Sequence, residues 1–211
     1  MALHQLMRAI GLFVVATVCY ISVHNGTSLF TWHPCLMSVG FILLMSEAIV
    51  AFSSKSFIAT NLKYNDRLNL HGLLQFSAAT LIGIAFYSIY THKNNNNYDH
   101  FASRHGNLGF TTCIMVGGTT VGGIAARYSG LFKKSIKPAY LKIIHSTFGV
   151  MTYIMAIFTF CLGLDSEWFR SQSNDQVVSV LIYLAGAVAL LALIKPLISI
   201  ATKLRNTFKT R

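Results

Sequence analysis

The chain has 211 residues, of which 54% are hydrophobic and 11% are charged, and its mean hydropathy is +0.55. Soluble domains carry about 25% charged residues, so this composition excludes an ordinary soluble protein and indicates one that lies in lipid. The net charge of +11 would indicate nucleic-acid binding in a soluble protein. In a membrane protein, basic loops on one side explain such a charge first, and we expect no nucleic-acid partner.

Six apolar stretches follow one another along the chain. A helix needs about 20 residues to cross a hydrocarbon core of about 30 Å. Stretches of fitting length lie at residues 9–24, 33–53, 71–90, 105–126, 143–164 and 177–201. They take up most of the sequence, so we predict a single domain over residues 1–211, an all-α membrane protein with a six-helix bundle. No small-residue cleavage site follows the first stretch, so we interpret it as a membrane helix rather than a signal peptide.

The basic residues are distributed unevenly between the two sides of this predicted bundle. One side has Lys93, Arg104 and Arg170, and Lys195 falls inside the last span. The thirteen on the other side are Arg8, Lys55, Lys63, Arg67, Arg127, Lys133, Lys134, Lys137, Lys142, Lys203, Arg205, Lys209 and Arg211. The positive-inside rule therefore predicts that both termini are cytoplasmic. The sequon at residues 25–27 then lies on the lumenal or extracellular side, where Asn25 is open to glycosylation.

Few polar residues fall within the predicted spans. The four cysteines, Cys19, Cys35, Cys113 and Cys161, lie there without a C-x-x-C spacing, and we interpret them as buried structural thiols. Glu47 is the only acidic residue well inside a span. We interpret it as facing a polar cytoplasmic end of the bundle, with a proton gate as the alternative.

Four histidines stand at or near the start of successive spans. His33, His71, His105 and His145 follow one another at nearly equal intervals, each close to one span plus one loop. Since successive helices alternate in direction, His33 pairs with His105 on the lumenal side and His71 pairs with His145 on the cytoplasmic side. Intramembrane histidines usually mark a functional path, the alternative being an interfacial position. Pro34 is predicted to open its helix.

Each histidine pair has the composition of a haem site. Zinc takes three or four protein ligands, and no Cys, Asp or Glu converges on either pair, whereas haem iron takes two axial ligands. Four glycines in the fourth span, Gly117, Gly118, Gly122 and Gly123, leave room for a macrocycle or for close helix packing. We predict two haems in a four-helix core and electron transfer as the chemistry. A histidine-containing metal-ion transporter and a non-catalytic membrane subunit are the alternatives.

The residues around these histidines resemble the cytochrome b561 family of transmembrane ascorbate-dependent reductases, in its short form with little beyond the core domain. The resemblance is carried by residues 32–34, 71–75, 103–109 and 144–149. It implies that the four histidines ligate two b-type haems. It also implies electron transfer from cytoplasmic ascorbate to monodehydroascorbate or a ferric chelate across the membrane. At Asn107 the family commonly has an aromatic residue.

The resemblance further implies a substrate site at each end. An anionic donor such as ascorbate needs cations on the cytoplasmic side, and Arg67, Lys63 and Lys142 lie close to the predicted cytoplasmic histidines. On the lumenal side, His100 and Arg104 are candidates for binding the acceptor. The family also implies contact with membrane lipid and an endomembrane location in the ER or in endosomal vesicles, and it leaves a homodimer open.

Overall fold

The computed structural model describes residues 2–53, 57–134 and 136–209, so that Lys55 and Arg211, counted above, lie outside the described residues. Every regular element in these ranges is helical. The helices are α1 (Ala2–Val23), α2 (Leu29–Val50), α3 (Tyr64–Asn95), α4 (Arg104–Arg127), α5 (Pro138–Leu164), α6 (Glu167–Gln172) and α7 (Asp175–Lys209). Two short 3₁₀ turns, Phe57–Ala59 and Ser129–Phe132, lie in the loops after α2 and α4.

Six of these helices are long and apolar enough to cross a membrane, which confirms the predicted multi-pass bundle. Some extend beyond the apolar stretches, because hydropathy detects only the part in lipid. Helix α3 begins at Tyr64 with Asp66 in its first turn, where a negative charge complements the helix dipole. Helix α5 begins at Pro138, whose missing N–H costs nothing at the first helical position. The short helix α6 was not predicted.

The start of α2 differs from the prediction. Ser28 accepts a hydrogen bond from the Thr31 main-chain N–H at 3.2 Å, and the Thr31 hydroxyl accepts one from the Ser28 N–H at 2.8 Å. This capping box begins the helix at Leu29. The prediction that Pro34 opens the helix is therefore wrong, since Pro34 lies inside it.

The middle of α2 is wound more loosely than its ends. Residues Val39–Met45 form a π-helical segment, in which the wider turn holds one residue more than an α-helical turn of the same helix would. Inside this segment, Gly40 lets α2 approach α3. A Cβ at Gly40 would lie 2.9 Å from Ile82 Cγ1 and 3.5 Å from the Ala78 carbonyl oxygen.

The bundle is built from two antiparallel hairpins, α2 with α3 and α4 with α5, while α1 and α7 pack together beside α2 and α5. Apolar side chains of α1, α2, α5 and α7 fill the interior between them, among them Val14, Ile42, Tyr153, Phe160 and Leu181. Because the six long helices alternate in direction, the start of α1 and the end of α7 lie at one end of the bundle. We call this the terminal end, and the other the distal end.

A cluster of polar side chains joins α1, α2 and α7 at the terminal end. Arg8 donates two hydrogen bonds to the Glu47 carboxylate at 2.7 and 2.6 Å, and the two side chains are only 23% and 12% exposed. Beside them, Lys195 donates to the Ser53 hydroxyl at 2.6 Å, and that hydroxyl lies 3.1 Å from His4 Nε2. Glu47 thus lies at a polar end, as predicted, but in an ion pair that the sequence analysis did not anticipate.

Candidate functional site

The four histidines meet in the two predicted pairs. At the distal end the imidazole centroids of His33 and His105 are 6.1 Å apart, with an interplanar angle of 80°. Toward the terminal end, those of His71 and His145 are 6.2 Å apart at 90°. Each pair joins one helix of the first hairpin to one helix of the second. His71 and His145 each lie about two turns inside their helix, rather than at its start.

The imidazoles are oriented by main-chain carbonyls of neighbouring helices. Three Nδ1 atoms lie at hydrogen-bonding distance from such a carbonyl: His33 from Ala85 at 3.1 Å, His71 from Ala48 at 2.8 Å and His105 from Thr159 at 3.0 Å. A carbonyl only accepts, so Nδ1 carries the proton and Nε2 is left with its lone pair for a metal. The fourth, His145 Nδ1, is buried beside the Thr119 main chain without a hydrogen bond of ordinary geometry.

These carbonyls occupy equivalent places in the hairpins. Each belongs to a residue that follows the histidine of its own helix, and the sequence separation is the same for Ala85 after His71, Thr159 after His145 and Thr119 after His105. Ala48 is the exception, because it follows His33 at a separation that is longer by a single position. The π-helical segment of α2 holds this extra residue, and it brings Ala48 level with His71.

Helices α4 and α5 are related by an internal repeat whose offset is the one from His105 to His145. Identical residue types stand at 105 and 145, 109 and 149, 112 and 152, 114 and 154, 115 and 155, 119 and 159, and 123 and 163. The side-chain contacts follow the same exchange. Thr112 and Thr159 hydroxyls lie 3.1 Å apart, and Thr119 and Thr152 hydroxyls 2.7 Å apart. The two antiparallel helices therefore form a nearly symmetric pair, which the sequence analysis detected only through its histidines.

Two glycines of this repeat lie directly against the imidazoles. A Cβ added to Gly163 would be 2.9 Å from His105 Cε1, and one added to Gly123 would be 3.0 Å from His145 Cε1. The distance at Gly163 is too short for a real side chain, and the distance at Gly123 would require the His145 ring to move by a few tenths of an ångström. Of the other predicted glycines, Gly122 lies near His145 as well, whereas Gly117 faces open space. Gly163 was missed because it belongs to no glycine run.

A cavity of about 280 Å³ opens beside the distal histidine pair, and we call it the distal cavity. Its aromatic wall includes Phe30, Phe86, Phe101, Phe110, Trp168 and Phe169, the last two from α6. His33 and His105 both line it, together with His100 and the unpredicted Lys93. His100 is held in place by stacking on Tyr90, with ring centroids 4.3 Å apart. The other predicted acceptor residue, Arg104, is exposed and does not belong to this lining.

The cations predicted for the donor lie at the terminal end. Lys63 and Lys142 are exposed there. Arg67 donates hydrogen bonds to three carbonyls of the preceding loop, those of Leu62, Thr60 and Phe52 at 2.9, 3.3 and 3.5 Å. The Arg67 guanidinium thus orders the segment that leads into α3. Phe52 from the same loop packs on the His71 ring, with centroids 5.1 Å apart.

Comparison with known proteins gives the chain a family. A family model described as eukaryotic cytochrome b561 matches residues 32–170. The chain belongs to the cytochrome b561 family. It is 34% identical over 148 residues to human transmembrane reductase CYB561D2, a match that covers 69% of this chain and 65% of that protein, just under two thirds of its length. It is 33% identical over 166 residues to the probable transmembrane reductase CYB561D1 of Mus musculus, covering 78% of this chain and 70% of the relative.

A more distant relative is the probable ascorbate-specific transmembrane electron transporter 1 of Oryza sativa subsp. japonica. It is 25% identical over 183 residues, which cover 82% of this chain and 76% of that protein. These relatives are named as transmembrane proteins, which agrees with the six membrane-crossing helices of this chain.

The histidine geometry fits haem, and cytochromes b561 are haem proteins. A metal–imidazole bond is about 2 Å long and the ring centre lies about 1.2 Å behind the nitrogen, so two imidazoles on one iron have centroids about 6.4 Å apart. The observed 6.1 and 6.2 Å agree with this arrangement. Among the residues that the structure describes, no three His, Cys, Asp or Glu side chains converge as a protein-only metal site would need.

Proposed function

We propose that the chain carries single electrons across the membrane from cytoplasmic ascorbate to monodehydroascorbate or a ferric chelate on the lumenal or extracellular side. In this proposal His71 and His145 hold one b-type haem near the cytoplasm, and His33 and His105 hold a second near the opposite face. Haem b, when bound, supplies reversible one-electron chemistry. The terminal end of the bundle is the cytoplasmic end.

The placement of the two histidine pairs carries this proposal. His145 packs against Gly123, which lies near the end of α4, whereas His105 lies at its start. At a rise of about 1.5 Å for each residue, the stretch of α4 from position 105 to position 123 is about 27 Å long, close to the thickness of a hydrocarbon core of about 30 Å, so the two pairs lie toward opposite ends of the span. A site near each face serves electron transfer across the membrane, whereas a metal-ion pathway needs ligands between the faces.

The protein itself supplies orientation and shielding. The Nδ1 contacts with carbonyls fix the tautomer of three of the imidazoles and leave their Nε2 lone pairs free to bind iron. Glycines at positions 123 and 163 let the other two helices approach the rings. If two histidines held each haem, no position on its iron would be left for oxygen, which would favour electron transfer over oxygen activation.

The substrate ends differ in chemistry. At the cytoplasmic end, exposed Lys63 and Lys142 provide positive charge for ascorbate, and Arg67 orders the loop through which the donor reaches His71. At the other end, Lys93 and His100 in the distal cavity provide positive charge or hydrogen-bond donors for an anionic acceptor. The relative named an ascorbate-specific electron transporter supports the choice of donor.

Absorption spectroscopy of the purified protein tests the proposal. We expect a b-type haem spectrum that ascorbate reduces, with two haems per chain. His71→Ala and His145→Ala should each remove one haem, and His33→Ala or His105→Ala should remove the other. His24→Ala is the matched control, because His24 stacks on Tyr20 outside both pairs and should leave two haems.

Two outcomes would contradict the proposal. Protein without ascorbate-reducible haem would exclude it, and full haem content in both His71→Ala and His145→Ala would exclude the pairing. The direction of transfer is measured in vesicles loaded with ascorbate, with a ferric chelate outside. Lys142→Ala should raise the KM for ascorbate and leave the haem content unchanged.

A further inference from the structure

Two cysteines that the proposed electron path does not use meet between α1 and α2. Cys19 Sγ lies 3.9 Å from the main-chain carbonyl oxygen of Cys35, and Cys35 Sγ lies 3.8 Å from the carbonyl oxygen of Cys19. Cys19 Sγ is also 3.9 Å from the Ser38 hydroxyl. Each thiol is therefore directed at the backbone of the other cysteine.

These two mutual contacts are expected of two cysteines that can form a disulfide bond. A disulfide needs the two Cα atoms within about 7 Å and side chains that point toward each other. Cys19 lies about one turn before the end of α1, and Cys35 lies less than two turns after the start of α2, so the two stand at similar depth in an antiparallel hairpin. Both are free thiols, and Cys35 is buried whereas Cys19 is partly exposed, so we take Cys19 as the thiol that reacts first.

We propose that Cys19 and Cys35 form a redox-reactive thiol pair that closes to a disulfide between α1 and α2, with a small-molecule disulfide as the oxidant. In the first step the Cys19 thiolate attacks the reagent. A protein–reagent disulfide forms, the reagent's S–S bond breaks and one reagent thiolate leaves. In the second step the Cys35 thiolate attacks the Cys19 sulfur and releases the second reagent thiolate. Two protein thiols are oxidised by two electrons, and one small-molecule disulfide is reduced to two thiols.

The bond would form at the wall of the distal cavity. Val18, next to Cys19, lines that cavity, and so does Pro34, next to Cys35. Closure would therefore covalently join the α1 and α2 walls beside His33. Formation of this disulfide does not require haem, so its test is independent of the proposed function.

The test uses dithiodipyridine, a small membrane-permeant disulfide, on the 211-residue protein in which Cys113 and Cys161 are replaced by serine. A closing pair releases two thiopyridones per chain, and the intact mass of the protein falls by two hydrogens. A thiol that has no partner releases one thiopyridone and keeps a pyridylthio group. Adding Cys19→Ser or Cys35→Ser to this protein gives the matched single-thiol controls.

The expected result is loss of two hydrogens without a retained adduct, at a rate of the second release that does not depend on protein concentration. Peptide mapping should then find residues 19 and 35 in one cross-linked fragment. Retention of pyridylthio groups would overturn the proposal, because it would show two thiols that react but do not meet. Absence of reaction in the two-cysteine protein would overturn it as well.

Discussion

Replacing Gly163 by alanine should disturb the distal histidine pair while leaving the fold in place. The added Cβ would lie 2.9 Å from His105 Cε1, whereas ordinary van der Waals contact begins at 3.4 Å. The ring must therefore move by several tenths of an ångström. Its Nδ1 is held 3.0 Å from the Thr159 carbonyl, so the movement strains that hydrogen bond. Overpacking of this kind costs about 1–3 kcal/mol.

The consequence for the proposed haem site is larger than the cost in stability. Metal–ligand distances tolerate about 0.2 Å, so a displacement of several tenths of an ångström would weaken the proposed bond from His105 to haem iron. In Gly163→Ala we expect the haem content to fall from two toward one, with the remaining haem reducible by ascorbate. Haem content is measured by pyridine haemochrome and stability by thermal unfolding in detergent.

Gly186→Ala is the matched control for this experiment. No atom of another element lies within 4 Å of the Cβ that alanine would add there, and the position lies inside α7, which carries none of the four histidines. Alanine in a helix is more favourable than glycine by about 1 kcal/mol, so this variant should be as stable as the parent or more so, and keep both haems. Equal haem content in Gly163→Ala and Gly186→Ala would refute the reasoning.

Three further changes test the packing of the bundle by unfolding in detergent. Arg8→Leu should lower the free energy of unfolding by about 3 kcal/mol, because it leaves the Glu47 carboxylate partly buried without its partner. Adding Glu47→Leu should restore part of this stability. If the losses from the two substitutions simply add, the two side chains are not coupled. Gly40→Ala should cost about 1–3 kcal/mol, since the new Cβ would lie 2.9 Å from a side-chain carbon of α3; an unchanged stability would show that α3 can move away. Tyr153→Phe removes a hydroxyl 2.6 Å from the Ser46 hydroxyl and should cost about 1 kcal/mol, and a loss several times larger would indicate that the pair supports a wider network.

The number and alternation of the helices could be predicted from the sequence because lipid imposes a simple requirement. Apolar length determines the spans, and the histidine intervals then follow from topology. Because successive helices run in opposite directions across the membrane, His33 and His105 must lie at one end of the bundle, and His71 and His145 must lie at the other. This part of the prediction required no knowledge of side-chain packing.

The remaining features depend on which helix faces meet, and hydropathy does not report that. The Arg8–Glu47 ion pair joins residues far apart in the sequence, and its detection requires knowing that α1 lies against α2. Helix α6 is too short and too polar to be seen as a span, yet Trp168 from α6 lines the distal cavity. Pro34 was misplaced because the capping box at Ser28 and Thr31, upstream of it, already begins the helix.

The α4–α5 repeat was present in the sequence and its meaning became clear only with the contacts. The exchange of α4 with α5 carries each imidazole–glycine contact onto the other, from His105 on Gly163 to His145 on Gly123. The core therefore presents nearly the same environment toward both faces of the membrane. A repeat of this kind makes two similar sites from one sequence pattern. In the first hairpin, Ala48 follows His33 at a separation that is one residue longer, and the π-helical segment of α2 accommodates that residue.

Such a core does not by itself distinguish donor from acceptor. The distinction has to arise where the repeat ends, at the loops and at α6. At the distal end aromatic side chains and Lys93 enclose a cavity beside His33 and His105. At the terminal end Arg67 ties down the loop before α3, and exposed lysines supply positive charge. Substituting Lys63 or Lys142 at the terminal end should therefore change the KM for the donor, and substituting Lys93 at the distal end should change the KM for the acceptor. Substitutions in the α4–α5 repeat should instead change the haem content.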